Sequence, residues 1–141
     1  MPLENSLLKG KKLFKVPKDF VEKVAKTIVD ELYHEERIVF VMIFGGVLRK
    51  EYTRDVDVAI YLSPPDDIIN DYGYAEELAK KISKHIGMPV DIIVLNHAPD
   101  YIINNVMLSG KVVIDRNPLQ RLSLKLKALE ERFRFLIKRG E

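Results

Sequence analysis

The stretch Ile38-Val-Phe-Val-Met-Ile-Phe-Gly-Gly-Val-Leu-Arg-Lys-Glu-Tyr-Thr-Arg-Asp-Val-Asp-Val-Ala-Ile-Tyr-Leu62 contains two apolar runs separated by a short polar segment. The first run is rich in β-branched and aromatic residues and stops abruptly at Gly45-Gly46, the pattern of a buried strand entering a tight turn. The second opens with Asp55 and Asp57 and alternates polar with apolar residues, which reads as a strand wet on one face at its start. The segment between the runs is too short for the helical crossover that parallel neighbours need, so the two strands are expected to lie antiparallel.

Side chains alternate faces along a strand, so Asp55 and Asp57 are expected to share a face while Val56 and Val58 enter the core. Two carboxylates that close repel unless a cation lies between them. Mg²⁺ suits the place, because it takes oxygen ligands and is commonly held by one or two carboxylates plus substrate phosphates. An isolated acid pair of this kind is equally a solvated strand start. Its context here is a glycine pair whose backbone can approach an anion closely. If Gly46 opens a short helix over residues 47–50, the helix start adds a partial positive charge. Arg49, Lys50 and Arg54 lie in the same loop as candidate partners for phosphate charge, or as solvated loop residues.

Outward from this stretch, helices and strands follow one another. A helix is expected from about Pro17, with Phe20, Val21, Val24, Ala25, Ile28, Val29 and Leu32 on its apolar face. Ser63-Pro-Pro-Asp-Asp67 reads as a loop. Residues 74–86 read as a helix stopped by Gly87. Residues 89–95 read as a third strand carrying Asp91, and residues 99–108 as a short helix ended by Gly110. Residues 111–114 read as a fourth strand, and residues 118–138 as a long final helix. This order predicts an α/β or α+β fold: a mixed sheet of about four strands flanked by helices. One domain over residues 1–141 is expected, with a core at about 17–115 and the final helix at 118–138. If the third strand lies beside the second, Asp91 reaches the sheet edge that holds Asp57. Three acids and a glycine turn would then form a two-metal site for phosphoryl or nucleotidyl transfer.

Composition narrows the function classes. The chain has 141 residues, 47% of them hydrophobic, and a formal net charge of +2. That is ample for a core and too balanced for a dedicated nucleic-acid binder. There is no cysteine, which excludes disulfides, thiolate zinc sites and thiol chemistry and fits a reducing cytoplasm. No apolar run approaches a bilayer span. Met1-Pro-Leu-Glu-Asn-Ser-Leu-Leu8 lacks the basic-then-apolar order of a signal peptide, so none is expected. Charged residues at 31% and a single glutamine, Gln120, resemble thermophile composition. His97 follows a strand end with no motif around it, where a general base is conceivable but a structural or exposed histidine is the commoner case. His34 and His85 sit near helix ends and receive no role.

The segment from Phe44 to Ile60, together with Val90-Asp91-Ile92, resembles the polymerase-beta-like nucleotidyltransferase superfamily. The shared signature is an apolar residue, two small residues, a loop, and an acid-apolar-acid-apolar strand. The resemblance covers roughly residues 38–115, and its nearest form is the minimal nucleotidyltransferase (MNT) of prokaryotic toxin–antitoxin pairs. It implies that Asp55, Asp57 and Asp91 are catalytic and hold two Mg²⁺ ions, and that Gly45 and Gly46 contact the triphosphate; Arg49 and Lys50 are added as nucleotide-binding candidates from their place in the loop alone. It implies ATP as substrate, AMP transfer to an acceptor hydroxyl, and a HEPN-type toxin as partner, with a tyrosine of that toxin as acceptor. The chain departs from the family pattern at Gly46, where serine is frequent, and at Lys50 or Glu51, where a further glycine is frequent. Its loop before Asp55 is about two residues shorter. Two other readings stand beside this one: a non-catalytic antitoxin that neutralises its partner by binding, and transfer to a small molecule or an RNA end.

Along the final helix, Leu119, Leu122, Leu126, Leu129, Phe133 and Leu136 recur in alternating steps of three and four, a narrow apolar seam. Leu124 and Phe135 lie off it. The seam either packs on the domain's own sheet or docks a second copy of the chain or another partner.

Overall fold

The structure, a computed structural model, describes residues 12–140. In chain order the elements are β1 (Phe14–Lys15), α1 (Phe20–Leu32), β2 (Ile38–Phe44), β3 (Tyr52–Thr53), β4 (Val56–Leu62), α2 (Ile68–Ile86), β5 (Val90–Val94), α3 (Asp100–Ser109), β6 (Lys111–Asp115) and α4 (Pro118–Arg139). Single 3₁₀ turns occupy Gly46–Leu48 and Leu95–His97.

Four strands form one mixed sheet in the order β5-β4-β2-β6. β2 runs antiparallel to β4, as the short connection requires, and antiparallel to β6. β4 and β5 are parallel, with α2 as the crossover between them. Alternation of side chains feeds two cores. Val56, Val58, Ile60, Leu62, Ile92 and Val94 point to one face, where they meet Val24, Ile28 and Leu32 of α1 and Ala75, Leu78 and Ile82 of α2. Phe40, Met42, Ala59, Tyr61 and Ile93 point to the other, against Val106 and Met107 of α3 and Leu124 and Ala128 of α4.

Several boundaries differ from the sequence reading. α1 begins at Phe20, not Pro17; the amide of Phe20 bonds to the Pro17 carbonyl in a preceding turn. Val29, expected on its apolar face, is exposed. α2 begins at Ile68, six residues before Tyr74, because Asp67 caps it by accepting from the Asn70 amide at 2.8 Å. Gly87 ends α2 as expected, in the left-handed conformation at φ +73°. β4 begins at Val56, so Asp55 lies just ahead of the strand. Over residues 47–50 there is no helix, only the single turn at Gly46–Leu48. A two-residue ribbon of β1 with β3 was not anticipated at all. The absence of a signal peptide, read from the first eight residues, falls outside the described residues. Among those described, no helix is long and apolar enough to cross a membrane.

At the end of the sheet where β2 begins and β4 and β5 finish, three elements are tied by one buried carboxylate. Asp71 is fully buried on α2. It accepts from Arg37 Nη2 at 2.7 Å, His97 Nε2 at 2.7 Å and the Asp66 amide at 2.9 Å. Burial alone would raise its pKa; the hydrogen bonds from Arg37, His97 and Asp66 and the Arg37 charge outweigh that and hold it below the usual carboxylate value. Arg37 also donates to the Pro64 carbonyl and stacks over Tyr74. The Tyr74 hydroxyl donates to Glu35 at 2.7 Å. Desolvation, then the Glu35 hydrogen bond and charge, push its pKa up. His97 is thus an anchor of the fold.

Candidate nucleotidyl-transfer site

The sequence-predicted acids lie at the opposite end of the sheet. β2 finishes at Phe44, whose register partner on β4 is Asp57; on the other side Asp57 pairs with Asp91 of β5. Residues in register on adjacent strands share a face. Asp57 and Asp91 therefore stand side by side at one edge, on the face that Ala59 and Ile93 continue inward. Asp57 is half-buried and Asp91 exposed, so the pair runs from the wall of the site to its rim.

Asp55 reaches the same edge by different means. It precedes the strand, so strand alternation does not set its direction. Its carbonyl accepts from the buried Thr53 hydroxyl at 2.9 Å, which pins the turn that presents it.

Gly45 closes the site against Asp57. Its backbone has φ +82° and ψ −155°, a combination essentially restricted to glycine. A Cβ built there would lie 2.5 Å from Asp57 Oδ2. The backbone at the end of β2 therefore touches the carboxylate, a fit that only a missing side chain allows. Gly46 differs: its would-be Cβ lies 3.4 Å from Thr53 Oγ1, an ordinary contact. With one 3₁₀ turn in place of a helix, the expected helix-dipole contribution is not built.

Of the loop cations, Arg49 and Lys50 are exposed. Arg54 is half-buried, and its Nε is buried without a hydrogen-bond partner. The structure thus separates Arg54, next to Asp55, from Arg49 and Lys50, the two loop cations that the sequence reading favoured for the nucleotide.

Among the described residues, no three acidic or imidazole groups are gathered closely enough to cage an ion unaided. Mg²⁺ is usually held less completely than that, by one or two carboxylates with water and substrate phosphates filling the rest. An all-oxygen donor set at a sheet edge, walled by a glycine pressed on one carboxylate, fits such an ion.

The family model described as polymerase beta nucleotidyltransferase matches residues 26–119, about two thirds of the chain. A search of curated proteins returns no match. Among solved structures, a tri-AMPylated Shewanella oneidensis HEPN toxin in complex with MNT antitoxin matches at a TM-score of 0.61 and 18% identity. That match covers 84% of this chain and 92% of the other. A toxin–antitoxin structure with AMP-PNP matches at a TM-score of 0.63 and 19% identity, covering 82% and 92%. The MntA–HepT toxin–antitoxin structure matches at 0.61 and 18%, covering 84% and 92%. At these identities the structures establish a shared fold. From the match of the family model, the chain belongs to the polymerase beta nucleotidyltransferase family.

Proposed function

We propose that the chain transfers a nucleoside monophosphate, AMP from ATP, to an acceptor hydroxyl and releases pyrophosphate. The acceptor is a tyrosine of a HEPN-type toxin, for which this chain is the antitoxin. The observation that carries the reading is the juxtaposition of Gly45, Asp57 and Asp91 across three adjacent strands. Membership of the nucleotidyltransferase family supports it, and so does the fold shared with an MNT antitoxin structure whose toxin is AMPylated.

Asp55, Asp57 and Asp91 would hold Mg²⁺, which when bound would supply positive charge against the triphosphate and favour in-line attack at the α-phosphorus. The backbone at Gly45 and Gly46 lets the phosphates approach the end of β2. Arg54 places a partly desolvated guanidinium beside them, with Arg49 and Lys50 further out. The acceptor oxygen bonds to the α-phosphorus while the bond to the β-phosphate oxygen breaks. Pyrophosphate departs with that electron pair. The hydroxyl proton passes to Asp91 or, past it, to solvent at the exposed rim.

Co-expression with a HEPN-type partner encoded beside this chain tests the reading by intact mass. The partner is expected to gain whole nucleoside monophosphates in the presence of the wild type and none with Asp55→Ala or Asp91→Ala. Asp66→Ala, at the other end of the sheet, should leave the addition intact. A tight stoichiometric complex whose partner never gains mass would assign the chain to non-catalytic neutralisation.

A further inference from the structure

α4 has two faces, and only one of them is used by the fold. On the inner face Leu124 and Ala128 join the core with Val106 and Met107. Gln120 donates to the Tyr61 hydroxyl at 3.3 Å, Arg121 Nε to Asp115 at 2.8 Å, and Asn104 to Glu131 at 2.5 Å. The seam predicted from sequence lies on the outer face. Leu119 is 82% exposed, Leu126 65% and Phe133 64%; Leu122, Leu129 and Leu136 are exposed as well. At 1.5 Å per residue the seam runs about 26 Å. Isolated exposed apolar side chains are ordinary, but a continuous stripe is not.

The spacing and the charge identify what covers it. Steps of three and four average 3.5 residues, the repeat by which one helix receives another, and the strict stripe is narrower than an interfacial membrane helix presents. Lys125, Arg132 and Arg139 recur every seven residues along one flank; Ser123, Glu130 and Ile137 occupy the other. Over its whole length α4 has seven lysines and arginines against two glutamates, leaving the remainder of the chain net acidic. An antiparallel second copy would set the two cationic rows side by side. A parallel copy would offer them one acid per helix. At physiological salt the screening length is about 8 Å, too long to relieve contacts within a helix pair.

We propose that the outer face of α4 is a docking site for an amphipathic helix of another protein, whose apolar seam is bordered by acidic side chains. The inference does not rest on transfer chemistry at Asp57.

The test uses the full chain and two synthetic helical peptides of three heptads with leucine seams, one flanked by glutamate and one by lysine. The acidic peptide is expected to bind about ten-fold more tightly or better at low salt, with the gap narrowing as salt rises. Phe133→Glu should remove that binding with far-UV circular dichroism unchanged, since Phe133 is exposed. Equal binding of both peptides, or none, would overturn the proposal. So would a dimer in sedimentation that Phe133→Glu dissociates, which would give the seam to a second copy. Binding to phosphatidylserine vesicles in place of either peptide would give it to a lipid surface. Nucleotide appears in none of these measurements, so their failure and that of the transfer reading are distinguishable.

Discussion

Gly45→Ala is expected to lower nucleotidyl transfer by about 10²-fold or more while the protein stays folded. The alanine methyl has no room: its carbon would sit 2.5 Å from Asp57 Oδ2, so either the carboxylate swings away or the end of β2 retreats. Displacing a reacting group or metal ligand by about 1 Å is enough to cost that factor. The backbone adds to the effect, because φ +82° with ψ −155° strains any residue with a Cβ by about 1–3 kcal/mol. Gly46→Ser is the matched control. Its Cβ meets Thr53 Oγ1 at 3.4 Å and Lys50 Cδ at 3.7 Å, both ordinary contacts, so stability should stay within about 1 kcal/mol and transfer should persist. Parallel denaturation curves and initial rates of label transfer check both variants. Equal losses in the two would mean that the glycine pair acts through loop flexibility and not through contact with Asp57.

Asp71→Ala is expected to cost about 3–5 kcal/mol at neutral pH, the usual penalty for stripping one partner from a buried ionic cluster. In melting temperature this is on the order of 10 °C. Arg37 and His97 would lose their common acceptor, and the Asp66 amide its cap. The carboxylate is held below its ordinary pKa of 3.8, so its ionised form stabilises the fold. That contribution is complete above the unfolded value and is lost as pH falls through the lowered folded one. Urea midpoints at pH 7 and near pH 3 should therefore show the gap between wild type and variant shrinking at the acid end. A gap unchanged with pH would assign the effect to packing alone. ATP affinity measured below the melting range should not change, because the cluster is at the end of the sheet away from Asp57.

Much of this was legible in the sequence, for reasons that particular residues make plain. An apolar run of seven residues defines β2 and an acid-apolar alternation running into an apolar stretch defines β4, and the brevity of the link between them forces the antiparallel pairing. Asp91 could be placed beside Asp57 because strand adjacency and period-two alternation leave few options. Other features depend on tertiary contacts. The first turns of α2 follow two prolines and contain Gly73, signals that normally mark a loop, and are held by the Asp67 cap. Two-residue strands such as β1 and β3 carry no periodicity. Arg37, Asp71 and His97 each look like surface residues in sequence; only the ends of β2, α2 and β5 bring them together. Arg54 resembles Arg49 and Lys50 until packing buries its Nε. The heptad of α4 announces a seam but not its direction, because the helix has apolar residues on its inner face too.

Under the proposed function, the glycine-walled acid site moves the α-phosphoryl group of ATP with its nucleoside attached. The most direct measurement supplies Mg²⁺ and a HEPN-type partner with ATP labelled at either the α- or the γ-phosphate. Label is expected on the partner from the α-position only, with released pyrophosphate in equal amount, and neither with Asp57→Asn. Label arriving from the γ-position, as a kinase would deliver it, or α-label that persists in Asp57→Asn, would contradict it.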